Sequence, residues 1–215
     1  MIINFYNHSC FKIQSGDFTL AFDPPSKESG YKTPKFQADV IFISHNNKNH
    51  NGKDALALKE ESDRFIVHSP GEYEIKDIII KGVQTKSVSE DEKNFLINSA
   101  YILNFEDMKI CHMGDFSENE LRPELSEAIG KSDILFFPVS SGPLDAKTAA
   151  SIAKELEPSV IIPMHYDGGK KDNKKLSDFL NEFSLEQIEK SDKLTIKKKD
   201  LNENELKVVV LEPNL

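Results

Sequence analysis

The segment Ala38–Gly52, ADVIFISHNNKNHNG, constrains this chain most. Val40–Ile43 is a short uncharged apolar run that stops abruptly at Ser44-His45, and the polar loop behind it carries a second histidine, His50. A run this short, bounded by polar residues, reads as a buried strand. Open α/β sheets collect their ligands beyond the carboxyl ends of such strands, and a strand that delivers two imidazoles there is a candidate metal site. The residues between the histidines, Asn47 and Asn49, are amides where a zinc site wants stronger donors.

The same reasoning gives a coarse plan of the chain. Ile2–Tyr6, Cys10–Ile13 and Phe18–Phe22 are short runs of β-formers, the last two joined over Ser15-Gly16-Asp17. Asp23-Pro24-Pro25 ends the third, because proline cannot continue a ladder. Asp54–Glu60 reads as a short helix, and Phe65–Val67 and Ile75–Ile80 as strands around the Ser69–Gly71 turn. Ala100–Phe105 and Met108–Cys111 form a hairpin that runs into His112-Met113-Gly114-Asp115. The period then changes. Glu118–Ile129 is helical in pattern, Asp133–Val139 is a buried strand, and Asp145 caps an apolar-striped helix to Leu156. Val160–Ile162 is a strand closing on Pro163-Met164-His165, Asn173–Phe183 a helix, and Leu194–Lys198 with Leu206–Leu211 a final hairpin. Hairpins followed by β–α alternation predict mixed sheets with helices outside.

Composition removes several classes of function. With 215 residues, 38% hydrophobic and 29% charged, the chain is of a size and make-up for one globular domain over 1–215. It contains no run of 18 apolar residues, so no membrane contact is expected. The start MIINFYNHSCFKI lacks the pattern of a secretory signal, and two cysteines, Cys10 and Cys111, make no disulfide framework. A cytoplasmic location is the expectation. A net charge of −9 repels phosphate backbones, and the lysines at 170, 171, 174, 175 and 197–199 have Glu182, Glu186 and Glu189 close by, so no nucleic-acid partner is expected. A small-molecule ligand, and either a monomer or a homo-oligomer, are compatible with the sequence.

Three histidines and an aspartate share one setting. His45 follows VIFIS, Asp115 follows MKICHMG, His165 follows VIIPM, and His50 sits in the loop behind His45. The order SHNNKNHNG, CHMGD and IIPMHY resembles the metallo-β-lactamase superfamily, whose first motif reads His-x-His-x-Asp-His and is followed by a histidine, an aspartate after glycine and a last histidine. Asn7–Phe11, Phe22-Asp23-Pro24, Ser69–Glu74 and Leu144–Lys147 resemble its lactonase-like, zinc-dependent hydrolase branch. The resemblance runs from about residue 3 to Leu211-Glu212-Pro213. It implies a four-layer αβ/βα sandwich of two mixed β-sheets flanked by helices, with the site at one edge between them.

Carried over residue by residue, the resemblance is incomplete. His45 matches the first histidine and His50 the last of the first motif, while Asn47 and Asn49 stand in for a histidine and the aspartate. Ser87 is the best match for the next histidine, Asp115 for the aspartate that bridges two metals, and His165 for the final histidine. The first metal position would comprise His45, Asn47, Ser87 and Asp115, too few strong donors for zinc; the second would comprise Asn49, His50, Asp115 and His165. The expected cofactor is therefore none, or one weakly bound divalent metal: zinc first, with iron or manganese compatible. The resemblance puts His8 at the pocket, and His112 is either support for the ligands or ordinary strand-end packing. No catalytic residue is assigned. The leading expectation is a degraded site in a binding or assembly protein. The alternative is a mononuclear hydrolase of a small ester, lactone or phosphate-bearing substrate using His50, Asp115 and His165. A nuclease of the same fold fits the acidic balance poorly.

Overall fold

The computed structural model describes residues 1–56, 65–89, 93–166, 173–202 and 205–214. Two mixed sheets pack face to face. The first has the order β13-β1-β2-β3-β4-β5, built from β1 (Ile2–Phe5), β2 (Phe11–Ser15), β3 (Phe18–Phe22), β4 (Val40–Phe42), β5 (Phe65–Val67) and β13 (Leu194–Thr195). The second has the order β12-β14-β11-β10-β9-β8-β7-β6. It comprises β6 (Gly71–Ile75), β7 (Ile78–Val88), β8 (Phe95–Phe105), β9 (Met108–His112), β10 (Ile134–Pro138), β11 (Val160–Met164), β12 (Ile188–Ser191) and β14 (Lys207–Leu211). In each sheet antiparallel hairpins give way to parallel strands: β3, β4 and β5 in the first, and β9, β10, β11, β14 and β12 in the second. The parallel strands β4, β10 and β11 are buried along their whole length, as parallel strands covered on both faces must be. The helices α1 (Pro123–Ile129) and α2 (Ala146–Glu155) lie against the second sheet, and α3 (Lys174–Leu180) lies against α2. This is the sandwich expected from the sequence. Among the described residues the outer face of the first sheet is covered by a loop, through Phe36, Ala38 and Leu56 against Ala21, Ile41 and Ile43.

Several element boundaries differ from the expectation, each for a local reason. Ile75–Ile80 is not one strand. Lys76 and Asp77 have φ of +47° and +65°, and they turn the chain so that Ile75 pairs with Ile78. A two-residue turn with both residues at positive φ matches the twist of a hairpin. The final segments form no hairpin with each other. Leu194–Thr195 pairs with β1 in the first sheet, while Lys207–Leu211 enters the second between β11 and β12. The polar run IEKS of β12 was missed because it is an edge strand with no buried face. The helix expected from Glu118 starts at Pro123, since proline suits a first helical position and not an interior one. Asp145 and Asn173 do cap α2 and α3, accepting from the backbone N–H of Thr148 (2.8 Å) and Leu176 (3.3 Å). Asp54–Ala55 lies in a turn, and residues 57–60 of the expected helix, like Lys170 and Lys171, fall outside the described residues.

Aromatic rings fill the space between the sheets. Phe11 meets Phe136 (centroids 4.6 Å apart), and Phe22 stacks on Phe42 (4.4 Å) on one side and on His112 (4.8 Å) on the other. Tyr101 of β8 reaches across from the second sheet, its hydroxyl donating to the Ile43 carbonyl just past β4 (2.7 Å). Cys10 and Cys111 are both buried and free, so they act as small apolar fillers.

Two predictions follow from this core. Tyr101→Phe leaves the ring in place but removes the donor to a buried carbonyl. It should lower unfolding stability by about 1–3 kcal/mol, read as a shift in urea midpoint with an unchanged m-value. The second concerns His112, which is fully buried, with Nε2 against the Ser9 carbonyl (3.2 Å) and Nδ1 accepting from the Gly114 N–H (3.2 Å). Burial pushes this imidazole down to about 4, and it pushes His8 and His50 down as well. The unfolded chain therefore binds more protons between pH 6.5 and 4, so folding stability falls as pH drops through that window. His112 alone contributes on the order of 3 kcal/mol of this loss. Asp23, whose carboxyl is raised by burial, acts with the opposite sign. Urea midpoints at pH 7.5 and pH 5 read the difference, and equal midpoints would contradict the burial of His112 and His50.

Candidate metal centre

The strand order brings the carboxyl ends of β3, β4, β9, β10 and β11 and the β1–β2 turn to one edge, where the two sheets meet. His8, His45, His50, Asp115 and His165 converge there. Ring centroids lie 4.3 Å apart for His45 and His50, 4.9 Å for His8 and His50, and 4.2 Å for His8 and His165. Two groups hold ligand atoms that all lie within 4.8 Å of one another: His45, His50 and Asp115, and His8, His50 and His165.

Asp115 is positioned by the backbone around it. Gly114 has φ +60°, and a Cβ there would come within 2.4 Å of Ser44 Cβ and 2.5 Å of Asn98 Oδ1, so only glycine fits. The fully buried Asn98 of β8 accepts from the Asp115 N–H (3.0 Å) and donates to Thr85 Oγ1 (2.6 Å) and the Met113 carbonyl (2.8 Å). Both carboxylate oxygens of Asp115 are engaged. Ser87 Oγ donates to Oδ2 (2.5 Å), Ser141 Oγ donates to Oδ1, and His165 Nδ1 lies 3.1 Å from Oδ1. Burial pushes the carboxyl up, but His165, followed by His50 and His45, outweighs it and holds Asp115 well below the usual carboxylate range.

Asp23, at the end of β3 with φ +41°, organises the first sheet's side. Its oxygens accept from the Ser44 N–H and Ser44 Oγ (2.7 Å each), and Oδ2 lies 2.8 Å from His50 Nδ1. A carboxylate only accepts, so His50 carries its proton on Nδ1 and turns Nε2 toward His8 Nε2, 3.2 Å away. Ser9 Oγ shares the Nδ1 side (3.0 Å). Serine and aspartate thus meet the same nitrogen, which rules out a Ser-His-Asp relay, where they must sit on opposite nitrogens.

The remaining candidates fall into two kinds. Asn47 turns its side chain back to accept from the Asn49 N–H (2.9 Å), so its oxygen closes the loop. Ser87 is committed to Asp115, and His112 to the core. Tyr166 is buried and donates to the Leu211 carbonyl (2.7 Å). By contrast, His45 Nε2, His165 Nε2 and Asn49 Oδ1 are buried without a hydrogen-bond partner. His45 Nε2 is 3.6 Å from Asp115 Oδ2, too far for a hydrogen bond. Orphaned buried polar atoms call for a missing partner, and a metal ion among these donors meets that need. The residues of the first metal position do not fit an ion, since Asn47 and Ser87 are otherwise engaged. The second retains the imidazoles of His50 and His165 and the unpartnered Asn49 Oδ1, a donor set compatible with an ion.

Sequence reasoning missed Ser9, Asn98 and Ser141 as site residues and read Asp23 only within the step that ends β3. The Asp-Pro step after β3 was the one available signal. The other three are ordinary polar residues whose partners lie 13 or more positions away.

Comparison with known proteins agrees with this geometry. The sequence model of the β-lactamase superfamily domain matches residues 2–165. A metal-dependent hydrolase from Thermococcus onnurineus is 25% identical over 192 residues, covering 77% of this chain and 84% of its own. The metal-dependent hydrolase YtkL of Bacillus subtilis is 26% identical over 202 residues, covering 78% and 86%. A solved structure from Thermotoga maritima, a proposed zinc-dependent hydrolase of the metallo-β-lactamase superfamily, is 31% identical. It superposes with a TM-score of 0.75 over 98% of both chains. With the site at the edge between two mixed sheets and the family match over most of its length, this chain belongs to the metallo-β-lactamase superfamily.

Proposed function

We propose that this chain is a reduced member of its family: it holds at most one divalent metal ion and serves in small-molecule binding or assembly, with weak or no hydrolysis. The observation that carries the reading is the pair of serine hydroxyls, Ser87 and Ser141, donating to the two oxygens of Asp115. A carboxylate that bridges two ions has its charge compensated by metal. Here hydroxyls supply that compensation, and of the first position only His45 and Asp115 remain, against the four ligands zinc takes. Asn49 stands where a carboxylate would assist, and an amide does not accept a proton as a base. A bound ion would supply a water of lowered pKa and polarise a substrate oxygen.

A second reading is favoured by the buried, unpartnered Asn49 Oδ1 and His165 Nε2. In it His50, Asp115 and His165 hold one zinc, iron or manganese ion, and the protein hydrolyses a small ester, lactone or phosphate-bearing substrate.

Metal counting tests the first reading. Protein purified without chelators, loaded with excess Zn²⁺, Mn²⁺ or Fe²⁺ and desalted, should retain no more than one equivalent; two equivalents would overturn the proposal. Asn47→His with Asn49→Asp and Ser87→His should raise retention toward two, and an unchanged count would refute the assignment of those positions. His165→Ala separates the two readings, because a mononuclear hydrolase loses metal and turnover together.

A further inference from the structure

The geometry points to a single-ion site made of three imidazoles, His8, His50 and His165, suited to a borderline divalent cation such as zinc: it keeps two donors of the second inherited position and takes His8 in place of Asp115. The inference rests on the reduced-centre reading and names the donors that replace the lost ones.

Two of the three imidazoles are backed by a carboxylate on the same nitrogen. His50 Nδ1 lies 2.8 Å from Asp23 Oδ2, and His165 Nδ1 lies 3.1 Å from Asp115 Oδ1. Each pair fixes the Nδ1–H tautomer and frees Nε2, which is how metal-ligating histidines are held. Asp115 thereby becomes a residue that orients a ligand rather than bridging two ions. The freed nitrogen of His165 is buried without a partner. The freed nitrogen of His50 faces His8 Nε2 at 3.2 Å. Two nitrogens on one tetrahedral zinc, each at 2.0–2.1 Å, stand about 3.3 Å apart. The closest edge of the cluster already has that length, and the rest of the triad falls within 4.8 Å.

The backbone holds His8 to this task. Asn7 and His8 have φ of +99° and +56°, and His165 has φ +62°. Such conformations are uncommon for side-chain-bearing residues and concentrate where geometry is imposed for function. The two turns are tied together, since the His165 N–H donates to the His8 carbonyl (2.8 Å). The His8 ring is stacked between His165 (4.2 Å) and Tyr31 (5.3 Å). His8 is only half-buried, which leaves the fourth place reachable by water. An all-imidazole donor set favours zinc, copper, nickel and cobalt over magnesium, calcium and manganese.

Titration with Co²⁺ followed by its visible absorption, and with Zn²⁺ by competition calorimetry, tests the site without any substrate. The full chain should bind one Co²⁺ with a strong four-coordinate spectrum, and Mn²⁺ much more weakly. His8→Asn keeps a residue that tolerates positive φ. It should weaken Zn²⁺ roughly tenfold or more, the scale on which even ligand-supporting residues act, while His45→Ala stays within about twofold. Circular dichroism and melting of each variant separate lost binding from lost folding, and His50→Gln provides a second ligand variant. One ion bound with His8→Asn neutral and His45→Ala strongly impaired would overturn this inference alone. Failure of the wild type to bind Co²⁺ or Zn²⁺ would do the same. Two ions bound would overturn the reduced-centre reading and this inference together.

Discussion

A carboxylate in the seam between two sheets must be compensated, and at Asp115 every neighbouring strand contributes to that compensation. Ser87 comes from β7, Asn98 from β8, Ser141 from the loop after β10 and His165 from the end of β11. Burial opposes the charge, and the imidazoles and hydroxyls outweigh it. Because these partners come from separate strands, their register is coupled through one side chain. A shift in any of these strands would leave an acceptor short of a donor, which costs more than a typical bond contributes. The site edge is therefore also a point at which the sandwich is locked.

The same edge favours the neutral form of His8, His45 and His50. Burial lowers His8, His45 and His50, and the mutual repulsion of these rings and His165 lowers them further. Neutral imidazoles are what a cation needs as donors and what an uncompensated core can tolerate. The cluster thus meets two demands at once, since its charge state suits both a folded protein without an ion and a donor set with one. Asp23 and Asp115 stand on opposite sheets and each grips one ring, which fixes the orientation of His50 and His165.

Much of this was legible in the chain before any coordinates. Val40–Ile43 and VIIPM had to be buried strands because they carry no polar face, and His45 and His165 had to emerge at their ends. Asp115 was readable through Gly114, whose positive φ is needed to turn the chain ahead of it. What was hidden depended on chain partners far apart. Nothing local distinguishes Ser141 from its neighbour Ser140, or Asn98 from Asn94. The Lys76-Asp77 turn was hidden by the apolar residues on both sides of it, and it converted one expected strand into two. Sheet membership was the hardest feature: β13 and β14 are near neighbours in sequence and lie in different sheets, a choice made by the open edge of β1 and the gap between β11 and β12.

The three departures from the family motif are not equivalent. Asn47 and Ser87 have each acquired a bond of their own, to the Asn49 N–H and to Asp115. A histidine at either position would have to break that bond before it could reach a metal, and at 87 it would compete with a hydroxyl for the same carboxylate oxygen. Asn49 has no such tie, because its Oδ1 is buried and unpartnered. An aspartate there would add a negative charge within a cluster that already holds Asp23 and Asp115, a cost that only a cation repays. Asn47 and Ser87 thus belong to a hydrogen-bonded scaffold, while the buried donor atoms of Asn49 and His165 stay unpartnered.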